Sequence, residues 1–429
     1  MARRAYLSAM GEIPDHPDII VIGAGAAGLA AVQCLSRARV SFAVVEARAR
    51  PGGRALTSNA GGFPLDLGCG WLHSAATNPL AGEAARLGFE IDRSPPPWQK
   101  ECDARAFPLA DQRDFRRAWA QFYQRLEDAA KAGVDRPARE CLEPGNRWNA
   151  MLDAGSTYVN GVELDGLSVI DFGFYRDSGV NWRVPAGMGA MIARLADAMP
   201  IAYDCAATRL DHSGSRLRIE TTRGAFTARA AIVTLSTNLI ASEALRFSPA
   251  APDKLQAAAR LPLGVADKLF LAVENPDDLP VDGRLYGARD SVAMASYHLR
   301  PFGRPLIEAY FGGRFARDLE NAGARAFADY AIADIAGVLG ADMRRRLSLL
   351  ACSGWARDAF ALGSYSHALP GHAGERAMLA APLEDRIFFA GEATSKHDFS
   401  TAHGAWRSGV QAAAEALAPT QDIRTPPRS

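Results

Sequence analysis

The chain has 429 residues, enough to bury a sizeable core and long for one compact unit, so two interwoven domains are the leading expectation. It is 48% apolar and 22% charged, with 48 basic residues against 48 acidic ones, which excludes an overall positive field that would gather nucleic acid or an anionic membrane. The six cysteines are scattered without a CxxC pair or metal-ligand spacing, and read as reduced thiols of a cytoplasmic protein with no metal site.

In chain order, the first 18 residues carry Arg3 and Arg4 but no apolar run long enough for a signal peptide, so residues 1–14 are expected to be a loose leader. No apolar stretch of about 18 residues follows anywhere, which disfavours a membrane anchor. Residues 18–22 read as a short apolar strand ending in glycine, residues 24–39 have helical spacing, and residues 41–46 are apolar and β-branched again, making one strand–helix–strand unit. From 95 to 183 the texture changes: three prolines break the chain, residues 113–132 read as an amphipathic helix, and residues 145–189 read as short aromatic-rich pieces with many turns. Short strands are expected at 201–203, 207–210, 217–221, 225–227 and 231–235, forming a small antiparallel meander beside the first sheet. A second inserted stretch, 261–372, contains apolar strands at 268–273 and 306–311 and a helix at 324–339, before a buried strand at 386–390 and a helix at 402–418. The tail, 421–429, is expected to be loose.

Gly23, Gly25 and Gly28 form GxGxxG directly after the first strand and at the opening of the first helix. There Gly23 permits a tight turn, Gly25 lets the backbone approach a pyrophosphate, and Gly28 allows close helix–strand packing, while the helix N-terminus offers N–H groups and partial positive charge to the phosphates. Glu46, 18 residues beyond Gly28, is placed to accept hydrogen bonds from a ribose. In EARARPGGRALT, residues 46–57, Gly52 and Gly53 permit another close backbone approach, and Arg48 and Arg54 are suited to a second phosphate contact.

This run resembles the flavin amine oxidases, a family that includes monoamine oxidase, polyamine oxidase and histone lysine-specific demethylase, and the resemblance extends over nearly the whole chain. It implies an α/β fold, α+β overall: a Rossmann-like FAD-binding domain of the glutathione-reductase type (15–94, 184–260 and 373–420) interleaved with a mixed α+β substrate-binding domain (95–183 and 261–372). DLGCGWLHSAATNPL, residues 66–80, is similar to the segment that passes beside the isoalloxazine, implying flavin contacts from Gly70 and Trp71. His73 falls where polyamine oxidases often carry a histidine near the substrate channel, and is otherwise a packed or surface histidine. In the closing segment FFAGEATSKHDFSTAHGAWRSGVQAAAEAL, Gly391 approaches the ribityl chain, Glu392 supplies acceptors to its hydroxyls, and Thr401 and Ala402 begin a helix whose positive end faces the flavin pyrimidine. Ala27, Ala47 and Ala207 complete the implied cofactor contacts.

LPLGVADKLFL resembles the strand whose lysine holds a water against flavin N5, which picks out Lys268; WARDAFALGSYSHALPG places Tyr365 as an aromatic wall at the substrate face. Ser364 stands where monoamine oxidases carry the cysteine that attaches their flavin, so FAD is expected to be noncovalent, and Thr401 replaces a second cage aromatic. VTLSTNLI, residues 233–240, lacks the family's proline, so residues 235–238 are expected to take a different local path.

The resemblance implies oxidation of a small-molecule amine by hydride transfer from its α-carbon to flavin N5, an imine that hydrolyses to a carbonyl compound, and O2 as acceptor with H2O2 as product. A homodimer is left open. The alternatives are an L-amino-acid oxidase, for which Arg183 is the candidate carboxylate clamp, another flavin dehydrogenase or desaturase, and a noncatalytic FAD-binding scaffold. Glu163, Asp165, Asp171 and Asp177 are expected to be mostly solvated turn residues, with attraction of a polyamine's distal charge as the other reading.

Overall fold

The computed structural model of the protein describes residues 13–104, 106–197 and 199–423; of the ends expected to be loose, 1–12 and 424–429 lie outside the described residues, while 421–423 continue the last helix instead. The chain opens with strand Ile19–Ile22, whose four side chains are all buried, as a strand covered on both faces requires. Helix Ala26–Ala38 follows, ending where Arg39 turns left-handed at φ 55° and its N–H reaches back to Leu35 and Ser36. Strand Phe42–Val45 returns parallel to the first, with Ile19 beside Phe42. The complete sheet is parallel throughout, in the order Ile387–Phe389, Ala230–Val233, Ile19–Ile22, Phe42–Val45, Ile201–Ala202.

Two strands expected in the meander thus belong to this parallel sheet. The Ala230–Val233 segment is buried at all four positions, a pattern that fits a covered central strand better than a half-exposed antiparallel one. The second sheet retains Ala207–Asp211, Leu217–Thr221 and Gly224–Ala228 as antiparallel neighbours and gains Arg246–Ser248, parallel to the first of them. After Val233 the backbone leaves the sheet, and Ser236 Oγ accepts from Leu239 N–H at 3.4 Å to start helix Thr237–Ala241.

The third sheet is antiparallel, ordered Gly283–Tyr286, Ser296–Leu299, Leu306–Gly312, Ala266–Val273, Leu347–Cys352. Helix Ala324–Leu339 packs Phe327, Ala331 and Ile335 into the apolar cluster behind it. Beside that sheet lies a helical layer, Leu109–Lys131, Asn149–Asn160 and Val169–Phe174, whose core is aromatic, with Phe107, Phe115 and Trp148 within 6.1 Å of one another by ring centroids. Asn149–Asn160 is a full helix where only short turn-rich pieces are expected. Its sequence NAMLDAGSTYVN has weak intrinsic helix preference, and burial on nearly every side holds it instead.

The last helix, Ala402–Ile423, lies against Ala26–Ala38. A Cβ added to Gly409 would sit 2.0 Å from the carbonyl oxygen of Ala27, so the two helices meet backbone to backbone. No helix among the described residues is long and apolar enough to cross a membrane.

Candidate functional site

A single elongated cavity of about 430 Å³ runs from the carboxyl edge of the parallel sheet to the face of the antiparallel third sheet. At its first end stand Gly23, Gly25, Ala27, Glu46, Ala47, Arg48, Gly53 and Ala207; Arg54, Gly391 and Glu392 line its middle; Gly70, Trp71, His73, Lys268, Tyr365, Thr401 and Ala402 line its far end. Of the cofactor and substrate-face residues placed by motif in the sequence, only Gly28 is absent from the wall. It packs beneath the turn instead, where a Cβ would lie 1.9 Å from the carbonyl oxygen of Gly23.

The first end suits a dinucleotide. Helix Ala26–Ala38 begins with neither a side-chain cap nor an acidic residue in its first turn, leaving its positive end for a ligand anion. A Cβ on Gly25 would meet nothing nearer than 4.0 Å, so the glycine leaves open space for a ligand to approach the backbone. Glu46 is 6% exposed, and its two oxygens accept from the backbone N–H of Ala24 at 2.7 Å and of Arg48 at 2.9 Å. That fixes the carboxylate while leaving lone pairs for ribose hydroxyls.

At the far end the third sheet supplies the chemistry. Lys268 pairs directly across the ladder with Tyr310, and Glu308, two residues earlier on that strand, is its diagonal neighbour. Lys268 Nζ is 3.0 Å from Glu308 Oε1. Burial works against the ammonium, but Glu308, Tyr310 and Asp66 outweigh it and hold Lys268 above the usual lysine range. Burial likewise works against the Glu308 carboxylate, and Lys268 and His298 outweigh it, bringing its pKa down to about 2. Gly70 presses against the lysine, since a Cβ there would lie 2.9 Å from Nζ.

The sequence model of the family described as Flavin containing amine oxidoreductase matches residues 26–159 and 147–417. The chain belongs to this family. Its cofactor is therefore FAD, and the enzyme is an oxidoreductase of CH–NH or CH–NH2 donors. It is 29% identical to Polyamine oxidase 1 of Oryza sativa subsp. japonica, across 94% of this chain and 97% of that protein. It is 28% identical to Lysine-specific histone demethylase 1 homolog 1 of the same organism, over 93% of this chain but only 52% of that longer protein. Putrescine oxidase bound to putrescine superposes with a TM-score of 0.75 at 18% identity, over 94% of this chain and 99% of that one, which establishes the shared fold.

Within this amine oxidoreductase the middle of the cavity is tightly tied. Glu392 accepts from Arg54 Nη1 at 2.9 Å, Ser366 N–H at 3.2 Å, Ser366 Oγ at 2.6 Å and Ser400 N–H at 2.9 Å. Its acceptors are taken by the protein, and they hold Arg54 and residues 366 and 400 in place. Ser364 Oγ donates to Ala266 O at 2.9 Å and offers no thiol to a flavin. Thr401 caps the last helix, its Oγ1 accepting from Gly404 N–H at 3.0 Å. Burial lowers the pKa of His73, whose Nδ1 contacts Asn181 Oδ1 at 2.7 Å. Tyr365 donates its hydroxyl to the carbonyl of Tyr158, a cavity residue the sequence reading missed because it sits in the unexpected helix. Tyr310 and Glu308 were also missed, although the alternation in LIEAYFG places both on one strand face.

Two sequence expectations need correction. Arg183 does not reach the cavity: its Nη2 lies 2.7 Å from Asp92 and its Nη1 2.9 Å from Asp282, so it is committed to two carboxylates and clamps no substrate. Asp171 and Glu163 are buried, 0% and 4% exposed, because Asp171 is bound by Arg376 and Glu163 by the backbone and side chain of Arg314. Asp165 also pairs with Arg314, at 3.2 Å, and Asp177 accepts from Ser74 Oγ at 3.3 Å.

Glu46→Ala should weaken FAD retention by one to two orders of magnitude, since about 1.5–3 kcal/mol attaches to each lost charged hydrogen bond. Flavin released on dilution and ultrafiltration measures it, and full retention removes Glu46 from ribose binding.

Proposed function

We propose that this protein oxidises a primary or secondary amine whose remainder is uncharged. One observation carries the reading: the charged groups on the cavity wall are matched within the protein, Lys268 by Glu308 at 3.0 Å. The two arginines lining the cavity are paired, Arg48 with Asp358 at 2.5 Å and Arg54 with Glu392 at 2.9 Å, so neither offers an uncompensated charge to an amino acid's carboxylate. Of the three lining carboxyls, Glu46 and Glu392 are engaged as described. The third, Asp267, is pushed well above the usual carboxylate range by burial and then by the Glu320 carboxyl beside it, which favours its uncharged form. A polyamine's second ammonium would be desolvated there without a partner, at a cost of several kcal/mol.

FAD held by Gly25, Glu46 and the residues lining the cavity would supply the electron chemistry, taking up a hydride from the amine α-carbon, with O2 as the final acceptor giving H2O2 and the imine hydrolysing to a carbonyl compound. The protein's part is positioning and exclusion. Trp71, Tyr310 and Tyr365 wall the far end, and the low polarity there disfavours the ammonium form of the substrate, whose nitrogen lone pair must be free to assist C–H cleavage. Lys268, fixed and charged at the cavity edge, supports charge that develops at the reacting centre.

An anaerobic titration with monoamines, polyamines and amino acids tests this. Monoamines should bleach the flavin fastest. Equal bleaching by polyamines contradicts the charge argument, and no bleaching by any amine contradicts amine oxidation. Lys268→Met should keep FAD and slow a half-reaction about 10²-fold, the scale of removing one preorganised electrostatic group. Unchanged reduction and reoxidation in stopped flow take Lys268 out of the mechanism.

A further inference from the structure

Behind Lys268 the third sheet carries a row of polar side chains that the reaction as described does not use. His298 pairs directly across the ladder with Glu308, so Lys268, Glu308 and His298 share one sheet face. They are 9%, 8% and 2% exposed, in a sheet whose other face is apolar core. Glu308 gives one oxygen to Lys268 Nζ at 3.0 Å and turns the other toward His298 Nδ1 at 3.6 Å. His298 Nε2 is 2.8 Å from Asp282 Oδ1, and Asp282 is anchored in turn by Arg183 Nη1 at 2.9 Å. Since a carboxylate only accepts, Nε2 must donate to Asp282, and the ring is thereby locked with Nδ1 facing Glu308.

A buried Lys268–Glu308 ion pair with an imidazole beside it costs desolvation energy that a packed apolar face would not, so its presence calls for a role. The other groups facing Lys268 contribute less to its counter-charge than Glu308 does. Asp66 is pushed upward by burial, and its oxygens are taken by Thr57, Met188 and Gly189. Tyr310 and Tyr365 are held protonated by burial, Cys69 is pushed up to about 12, and His73 is kept neutral by burial. We propose that Glu308 is the positioning residue that keeps the Lys268 ammonium charged and aimed at the flavin edge of the cavity, and that His298, locked by Asp282, orients Glu308. This rests on the amine-oxidase reading for the site it serves, but not for its test.

In Glu308→Gln the buried ammonium loses its main counter-charge and titrates within the pH range of the folded protein, because burial lowers a lysine's pKa by several units. Two measurements should then gain a pH break absent from the parent: the rate of flavin reduction by amine, falling about 10²-fold above the break, and the flavin midpoint potential measured by dye equilibration, which needs no substrate. His298→Ala should give the same break with smaller amplitude. In a Lys268→Met background, Glu308→Gln should add nothing to either measurement, because its effect passes through the lysine. Parent-like profiles in Glu308→Gln, or an undiminished effect in the Lys268→Met background, overturn the proposal. If Glu308→Gln fails to fold, Lys268→Met/Glu308→Gln, which buries neither charge, should fold again; equal failure of both overturns it. A flavin potential that responds as described in a protein no amine can reduce refutes the amine reading alone.

Discussion

Gly28→Val should abolish the folded, FAD-containing protein, while Gly25→Ala should leave it folded and colourless. At position 28 a Cβ would lie 1.9 Å from the carbonyl oxygen of Gly23, 3.0 Å from its carbonyl carbon and 3.4 Å from Val21 Cγ1. Two of these three atoms are backbone, and Gly23 cannot yield: its φ is +107°, and it is backed by Thr234, whose Oγ1 would stand 2.4 Å from a Cβ on residue 23. The whole Ala26–Ala38 helix must therefore lift off the sheet, and Gly409, which meets Ala27 on its other side, blocks that movement. Overpacking a core costs about 1–3 kcal/mol where neighbours can adjust. Here they cannot, and the strain takes a large part of the roughly 5–15 kcal/mol that holds a typical domain together. Gly25 has no such neighbour, so an alanine methyl there projects into open space and meets only the ligand. The ratio of flavin to protein absorbance, with a thermal melt of each variant, separates the outcomes. A yellow Gly28→Val protein with the parent melting temperature would falsify the backbone-contact argument.

What could be read from the sequence divides along the same line as local against long-range contact. The GxGxxG turn and helix Ala324–Leu339 are fixed by their own residues, the helix by Gly323 and Gly340 at its two ends, and both are found where expected. Every proposed cofactor and substrate-face residue except Gly28 lines one cavity, because each was placed by a motif whose neighbours carry the same message. Strands Gly283–Tyr286 and Ser296–Leu299 had no such local signature, and only pairing with each other and with Leu306–Gly312 defines them. Acidic residues were read least well. Asp171 looks like a turn residue in its own segment, and its burial depends on Arg376, 205 positions away. Glu308 sits in an apolar strand with no sequence signal that its partner is Lys268 on the adjacent strand. A buried charge is legible only with its counter-ion, and the chain scatters the two.

Arg376→Met is the second substitution with a large expected effect, and it acts on stability and cofactor together. Arg376 is 2% exposed and Asp171 0%. Nε and Nη2 of the guanidinium grip the two oxygens of Asp171 at 2.6 and 2.8 Å, while Nη1 donates to Ser366 Oγ at 2.9 Å and to Ala393 O at 3.2 Å. Its flat face lies 3.8 Å from the ring centre of Phe399. One side chain thereby joins helix Val169–Phe174, the segment around Ser366 and the turn Glu392–Thr394. Methionine keeps the volume but strands the Asp171 carboxylate in a dry interior, where breaking a buried pair costs about 3–5 kcal/mol. Because Ser366 Oγ donates a hydrogen bond to Glu392 at 2.6 Å, loss of Arg376 also loosens the carboxylate that holds Arg54 beside the cavity. A lower denaturation midpoint and weaker FAD retention should therefore appear together. Pairing Arg376→Met with Asp171→Leu removes the stranded charge and should recover most of the stability, yet not the FAD retention, since Ser366 stays without its donor. Recovery of both, or of neither, contradicts the division of roles between Asp171 and Ser366.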